Sequence, residues 1–426
     1  MEIENISEKS GFLIMNKAYK IRIYPNKKQE VLIKKTFGCS RFIYNIMLEE
    51  HNRVYNKLKS NKELLYSYKY KTEKEYKLEH PFLKEVSAVA LVQSHRDLIQ
   101  SFKNFFVKRA KHPKFHSKYG KQSFRELAHL HFEDKKLKIP KIGWLKTRGY
   151  KKDIEPKNIK NVTISRDKTN CYYASIIIDF TPKKLPVNDK AIGLDLGLKH
   201  FCITSDKEFV DNPKFYRKSE WKVKKHSKRL SKKKKGSNRR NKQRIVLAKI
   251  HKKIYNQRND FLHKLSFKYI SENQVICLED LNIKGMVKNH CLSKSIHDVS
   301  WSEFVSMLEY KSSWYGRTLV KVDRFFPSSK LCSECGCKKN TLGLNERVYS
   351  CEHCGMNLDR DLNASLNILR EGLNILRNKI TPTCNDLTCL APVGRRSLML
   401  VEHRVNISKV KLRYKLRVMK REASHI

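Results

Sequence analysis

Residues 331–363 read LCSECGCKKNTLGLNERVYSCEHCGMNLDRDLN. Cys332-x-x-Cys335 and Cys351-x-x-Cys354 are separated by 15 residues, and Gly336 and Gly355 follow the two pairs at the same offset. This is the spacing of a four-thiolate tetrahedral zinc site. Four sulfurs leave no open position on the ion, so the expected role of Zn2+ is structural. Glycine after each second cysteine lets the backbone turn tightly around the metal. Cys337 is an extra thiol and the main alternative ligand. The constraint reaches past the clamp, because an Asp-Arg-Asp run begins five residues after Cys354. Whatever fold surrounds this segment must hand a clamped loop directly to a stretch of acids.

Charge sets the second bound. Lys and Arg total 91 against 42 Asp and Glu, a net charge of +49 over 426 residues. Such an excess repels itself unless a polyanion neutralises it, so nucleic acid or an anionic membrane surface is the natural partner. No apolar run approaches the roughly 18 residues of a membrane span, so no membrane partner is expected. Residues 1–15 lack the basic start and long apolar stretch of a signal peptide. Met15 opens MNKAYKIRIYP, a plausible second start, and the 14 residues before it are expected to be dispensable. Hydrophobic residues at 40% exclude a wholly disordered chain. Twelve cysteines with one regularly spaced group favour a reducing compartment and metal binding over a disulfide framework. Charge alone leaves a basic scaffold without chemistry open beside an enzyme.

Along the chain, KAYKIRIY (17–24) alternates as a half-buried strand ended by Pro25 and Asn26. From Lys27 to Tyr55 the pattern is helical, with an interruption expected at Gly38, and residues 56–80 read as exposed helix or linker. SAVALVQSHRDLIQSFKNFF (87–106) is an amphipathic helix whose apolar side reads as core. Its polar side carries Gln93, Ser94 and Arg96, candidates to face a groove. Residues 108–124 are basic with interleaved aromatics, and VTISRDKTNCYYASIIIDF (162–180) reads as a hairpin. Short strands beside basic and aromatic residues suit a barrel that grips a sugar–phosphate backbone. TPKKLPVND (181–189) reads as a linker, and a new domain starts at KAIGLDLG.

Residues 222–244 hold 13 Lys or Arg in 23 residues and no acid. Like charges at helical spacing destabilise an isolated helix, so this segment is expected either to stay mobile or to become ordered on phosphates, and the charge density favours nucleic-acid contact. The candidate contacts are Lys222, Lys224, Lys225, Lys228, Arg229, Lys232, Lys233, Arg239 and Arg240. The periodic LAKIHKKIYNQRNDFLHKLSFKYI follows directly and argues for one long helical unit, 222–270.

Three acids stand out by setting. An apolar strand, Ala191–Leu194, delivers Asp195 between Gly193 and Gly197. A second, VICL, ends in Glu279 and Asp280. Asp361 lies in the first turn of a helix with Leu362, Leu366 and Leu369 as apolar positions, where a carboxylate is electrostatically favoured. If the two strands are neighbours, all three acids converge, and such a cluster suits a pair of hard cations, Mg2+ or Mn2+, for phosphodiester cleavage. Taken singly, Asp195 reads as a turn residue, Glu279 as a surface acid and Asp361 as a helix cap. Asp280, Asp359 and Asp206 are the second choices.

The ordered set GLDLG, LEDLNIKGM, the cysteine ribbon and DRDLNASLNI resembles the TnpB family of transposon-encoded, RNA-guided DNA endonucleases related to type V CRISPR effectors. KAYKIRIYPNKKQE, RFIYN, FKNFF, HPKFHSK, FPSSKLCSECG and QRNDFLHKL are similar to that family too, so the resemblance covers nearly 17–372. It implies an α+β multidomain chain. An RNase H-like (RuvC) α/β nuclease domain would carry the inserted zinc ribbon, beside a β-barrel wedge domain with a helical recognition insert. The implied boundaries are 1–26 and 111–186 for the wedge, 27–110 for recognition, 187–330 and 356–373 for the nuclease, and 331–355 for the ribbon. A basic tail, 374–426, matches no pattern and is expected to be disordered.

Position by position, Asp195, Glu279 and Asp361 match the family's catalytic triad, and Cys332, Cys335, Cys351 and Cys354 its zinc ligands. The resemblance implies a guide RNA derived from the transposon end and cleavage of double-stranded DNA beside a short flanking motif, read near Gln93 and Ser94. A monomer with one RNA, in the prokaryotic cytoplasm or nucleoid, is the corresponding expectation. The competing readings are a transposase that joins strands, a cleavage-dead RNA-guided repressor and a plain RNA-binding scaffold.

Overall fold

The computed structural model describes residues 15–149, 159–343 and 345–380. The expectation about the 14 residues before Met15 and most of the basic tail therefore lie outside the described residues. The chain divides into two compact units, the second beginning at Lys183.

The first unit opens with β1 (Met15–Tyr24), ended by Pro25 and Asn26. Asn26 starts α1 (Lys27–Leu58) with a reciprocal cap: its side chain accepts from Gln29 N at 2.9 Å while Gln29 Oε1 accepts from Asn26 N at 3.0 Å. The interruption expected at Gly38 does not occur, and α1 runs through it. A mid-helix glycine costs about 1 kcal/mol. The buried stripe of Ile33, Phe37, Ile43, Met47 and Leu48 outweighs it. After α2 (Lys62–Ser67) and α3 (Glu73–Glu79), α4 (Ala88–Phe106) packs against α1. Leu91 and Leu98 join Ile43, Met47 and Leu48 in one cluster.

Six further strands follow: β2 (Gln122–Glu126), β3 (His131–Glu133), β4 (Lys136–Ile139), β5 (Gly143–Arg148), β6 (Ile159–Arg166) and β7 (Tyr172–Phe180). With β1 they form an antiparallel sheet in the order β2-β6-β7-β1-β5-β4-β3. Every strand contributes to one core, from Phe124 on β2 to Phe132 on β3. Both edges reach the same core, so the sheet curls, yet β2 and β3 do not pair and the ring stays open.

The second unit holds β8 (Ala191–Leu196), β9 (His200–Thr204), β10 (Phe209–Asp211), α5 (Phe215–Ser231), α6 (Asn238–Glu272) and β11 (Val275–Glu279). Then come α7 (Ile283–Met286), α8 (His290–Val299), α9 (Trp301–Tyr315), β12 (Thr318–Val322), β13 (Val348–Ser350), β14 (Asn357–Asp359) and α10 (Arg360–Ile380). The five-stranded sheet has the order β10-β9-β8-β11-β12. β8, β11 and β12 run parallel, and β9 and β10 are antiparallel.

Alternation along the central strands fixes the layers. Ile192, Leu194, Ile276 and Leu278 pack with α6, α8 and α9 on one face. Val275, Cys277, Val320 and Val322 pack with Ile368, Leu373 and Leu376 of α10 on the other. α10 continues to Ile380, so residues 374–380, expected in the tail, are helical. The basic segment is not one helix either. It breaks between Ser231 and Asn238, where Ser237 caps α6 by accepting from Arg240 N at 3.1 Å. Among the described residues, no helix is long and apolar enough to cross a membrane.

Candidate active site and its cysteine clamp

β8 and β11 are direct neighbours, with Gly193 opposite Cys277 and Leu194 opposite Leu278. Asp195 and Glu279 therefore extend the same register at the carboxyl ends of two parallel strands. Residues two apart share a face, so Asp195 points where Gly193 points and Glu279 where Cys277 points. That face is the one α10 covers. A Cβ on Gly193 would lie 2.2 Å from the Ser365 carbonyl oxygen, and one on Gly372 would lie 2.3 Å from Cys277 Sγ. Only glycine allows the helix so close. Asp361 sits one turn before Ser365 on the same helix face. Four residues of helix and two of strand span similar lengths, about 6 Å and about 6.6 Å. The close crossing at Gly193 thus carries Asp361 toward Asp195.

Electrostatics report the convergence. The Asp195 carboxyl is pushed up to about 7, first by desolvation, then by the negative charges of Asp361 and Glu279. The Arg360 guanidinium opposes the shift. Glu279 is raised by desolvation and by its neighbour Asp280. Among the described residues, the sets of three or more donors lying within 4.8 Å of one another both belong to the cysteine clamp, so the three carboxylates do not all lie that close together.

The second-choice acids are placed differently, although the charge of Asp359 also raises Asp195. Asp280 pairs with Arg324 at 2.7 Å. Asp359 Oδ1 accepts from Asp361 N and Leu362 N, both at 3.0 Å, and so does the capping that Asp361 could have done. Asp206 is exposed in the turn after β9.

The clamp is built from two knuckles. Cys332, Cys335, Cys351 and Cys354 present their sulfurs within 4.8 Å of one another, with Cys332–Cys354 and Cys335–Cys351 each at 3.6 Å. Ligands about 2.3 Å from a tetrahedral ion lie roughly 3.8 Å apart, so the donor set fits Zn2+. Gly336 and Gly355 take positive φ, 79° and 72°, at equivalent places in the two knuckles. The Cys354 backbone N–H is the largest influence on Cys351. Burial opposes it, the His353 N–H adds to it, and the thiol is pulled down to about 6.

Sequence reasoning missed the link between clamp and acids. Asn363 and Asn367, fully buried on α10, look like ordinary polar helix residues. Asn363 Nδ2 donates to the Leu331 carbonyl at 2.7 Å, and its Oδ1 accepts from Ser333 N at 2.9 Å. Asn367 Nδ2 donates to the Ser328 and Leu331 carbonyls at 2.8 and 2.7 Å. On the other side the β13–β14 hairpin leads without a break into α10. The first knuckle and the helix bearing Asp361 are thereby tied together. The detectable signal was an Asn pair at i, i+4 beside a metal clamp.

The basic segment folds back on itself. Gln243 Nε2 bonds His226 Nδ1 at 2.9 Å, and Arg240 Nη1 donates to the Leu230 and Lys233 carbonyls at 2.5 and 2.9 Å. Arg240 therefore closes the turn, and Lys233 is half-buried. Lys222, Lys224, Lys225, Lys228, Arg229, Lys232 and Arg239 are exposed. Trp221, which the sequence did not single out, is 58% exposed with Lys222 and Lys225 over its ring. Asp298 anchors the start of α5 by accepting from Tyr216 N at 2.9 Å while pairing with Arg258 at 3.0 Å. On α4, Gln93 and Ser94 are buried rather than on an open face. Ser94 Oγ donates to the Ala90 carbonyl at 2.9 Å, and Arg96 alone of the three is exposed.

Family models match residues 173–290 ("Probable transposase"), 301–368 ("Cas12f1-like, TNB domain") and 15–60 ("Helix-turn-helix domain"). In this structure residues 15–60 form β1 and the unbroken α1. A Streptomyces pristinaespiralis protein named "Putative RNA-guided DNA endonuclease" is 38% identical over 84% of this chain and 90% of its own length. The Escherichia coli K12 protein "Putative RNA-guided DNA endonuclease InsQ" is 29% identical over 84% and 93%. A chain from a Cas12f1–sgRNA–target DNA complex has the same fold, with TM-score 0.52 at 13% identity, covering 83% of this chain and 98% of that one. The chain belongs to the TnpB family.

Proposed function

We propose that the chain is an RNA-guided DNA endonuclease that holds a guide RNA and cuts double-stranded DNA by metal-dependent phosphodiester hydrolysis. The observation that carries this reading is the meeting of Asp195, Glu279 and Asp361 on one face of the second unit, with Asp361 and Glu279 pushing the Asp195 carboxyl upward. The strand order, with three parallel strands flanked by an antiparallel pair, supports an RNase H-like nuclease. The curled sheet and helices of the first unit support the wedge and recognition assignments.

The three carboxylates fit hard divalent cations. Their mutual repulsion is what bound positive charge would relieve. Such ions, Mg2+ or Mn2+, supply an activated water and stabilise the leaving oxygen when bound. Asp195, Glu279 and Asp361 would hold and orient them. Asp359, occupied in capping α10, keeps the Asp361 carboxylate free. Cys332, Cys335, Cys351 and Cys354 would hold Zn2+ in a structural role, while Asn363 and Asn367 tie the first knuckle to α10. The exposed lysines and arginines of α5 and the following turn meet phosphates. Base pairing supplies sequence choice, which is why so basic a chain needs no obvious base-reading helix.

The test is to co-express the chain with its flanking RNA, purify the complex and sequence the RNA. DNA complementary to that RNA is then offered with and without Mg2+. Guide-dependent, Mg2+-dependent cleavage is expected, and its absence on every matched duplex would sink the reading. The match to a "Probable transposase" family favours one second reading, strand joining. Covalently joined products from labelled transposon ends would establish it.

A further inference from the structure

The ribbon carries a second set of soft donors. Cys335 Sγ, Cys337 Sγ and a ring nitrogen of His353 all lie within 4.8 Å of one another. All three are held by backbone already organised around the clamp. Cys332 N–H donates to the Cys337 carbonyl at 2.9 Å, and Leu331 and Lys338 form a β-bridge just beyond it. His353 lies inside the second knuckle, its N–H directed at the Cys351 sulfur. Cys335 Sγ is 3.6 Å from Cys351 Sγ, and so belongs to both sets. Cys335 and His353 are exposed and Cys337 is half-buried, so no donor of this set is buried, whereas Cys332 and Cys351 of the four-cysteine set are.

We propose that Cys335, Cys337 and His353 form an outer site for a second thiophilic divalent ion, with the Cys335 thiolate bridging it to the first. The proposal rests on the four-cysteine reading, with which it shares Cys335. The chemistry favours it. Four thiolates around one divalent ion leave a net double negative charge, which attracts a second cation. Thiolate and imidazole are the donors that select soft or borderline metals. An ion about 2.3 Å from sulfur and about 2.0 Å from nitrogen can span the observed spacing. Binding converts the Cys337 thiol to thiolate and releases its proton to solvent. Three protein donors leave a fourth position open, unlike the inner ion.

The test titrates the full-length chain, stripped of metal under reducing conditions, with Co2+ and follows thiolate-to-cobalt charge-transfer absorption. Two steps are expected. Cys337→Ser and His353→Ala should each remove the second step and leave the first, which also reports an intact ribbon in both variants. A single step in the unaltered chain, or a second step that survives both substitutions, overturns the outer site. So does a first step weakened by Cys337→Ser, which would place Cys337 in the inner site. Loss of the first step in the unaltered chain overturns the four-cysteine reading and the bridge with it.

Discussion

The cysteine clamp and the carboxylate cluster meet on one helix but are specified in opposite ways. The clamp's four ligands lie within residues 332–354, and their spacing alone determines what they do. The acids at 195, 279 and 361 are brought together only by parallel pairing of β8 with β11 and by the crossing of α10 at Gly193. A local site is encoded by spacing and a dispersed one by topology. The practical consequence is that the dispersed site depends on packing at positions bearing no chemistry, while the local site depends on its ligands.

The largest expected effect separates chemistry from fold. Asp195→Ala should lose several kcal/mol of transition-state stabilisation, on the order of a thousandfold in cleavage rate. RNA binding should persist, because the acid would hold metal rather than guide. Gel-shift and cleavage assays on one preparation check this, and lost RNA binding in a folded variant would count against the assignment. Cys351→Ser should do the reverse, releasing the zinc and loosening the ribbon. Unchanged zinc stoichiometry by mass spectrometry would contradict the ligand assignment.

Gly193→Ala tests the topological half. Its new methyl would meet the Ser365 carbonyl oxygen at 2.2 Å, so the variant should lose about 3 kcal/mol in chemical denaturation. Asn363→Ala attacks the joint between the sites. It leaves the Ser333 N–H without its partner, at about 1–3 kcal/mol, while the Leu331 carbonyl keeps the bond from Asn367. Cleavage should fall with zinc still bound, and lost zinc would show that the asparagine serves the clamp instead.

The smallest effect supplies a control. Glu126 in the first unit is also a carboxyl pushed up to about 7, but by burial alone, with Ser87 Oγ donating to it at 3.1 Å. Its folded pKa lies above the ordinary 4.5, so the folded state binds the extra proton. Its penalty is absent below pH 4.5, grows as pH rises toward 7 and is constant beyond. Glu126→Gln should therefore stabilise on the order of 1 kcal/mol at pH 8 and not at pH 4, without touching catalysis. A raised carboxyl is thus no mark of a site by itself. Crowding with other acids is what distinguishes Asp195.

The same contrast explains what could be read in advance. The two glycines after the knuckles, the strand ending at Glu279 and the helix start carrying Asp361 follow local rules, and local rules are visible in a sequence. The break at Ser231–Asn238 was missed because the charge run continues across it while the backbone turns. The burial of Gln93 and Ser94 was missed because helix periodicity marks a polar side but not what packs over it. Asn363 and Asn367 were missed because their partners are backbone atoms of a different segment, which side-chain patterns do not report.

The most direct test of the acid cluster is anomalous diffraction from crystals of the full-length complex soaked in Mn2+. The account predicts manganese peaks in contact with Asp195 and shared with Glu279 and Asp361. Manganese bound elsewhere on the protein, with none among these three carboxylates, would contradict it.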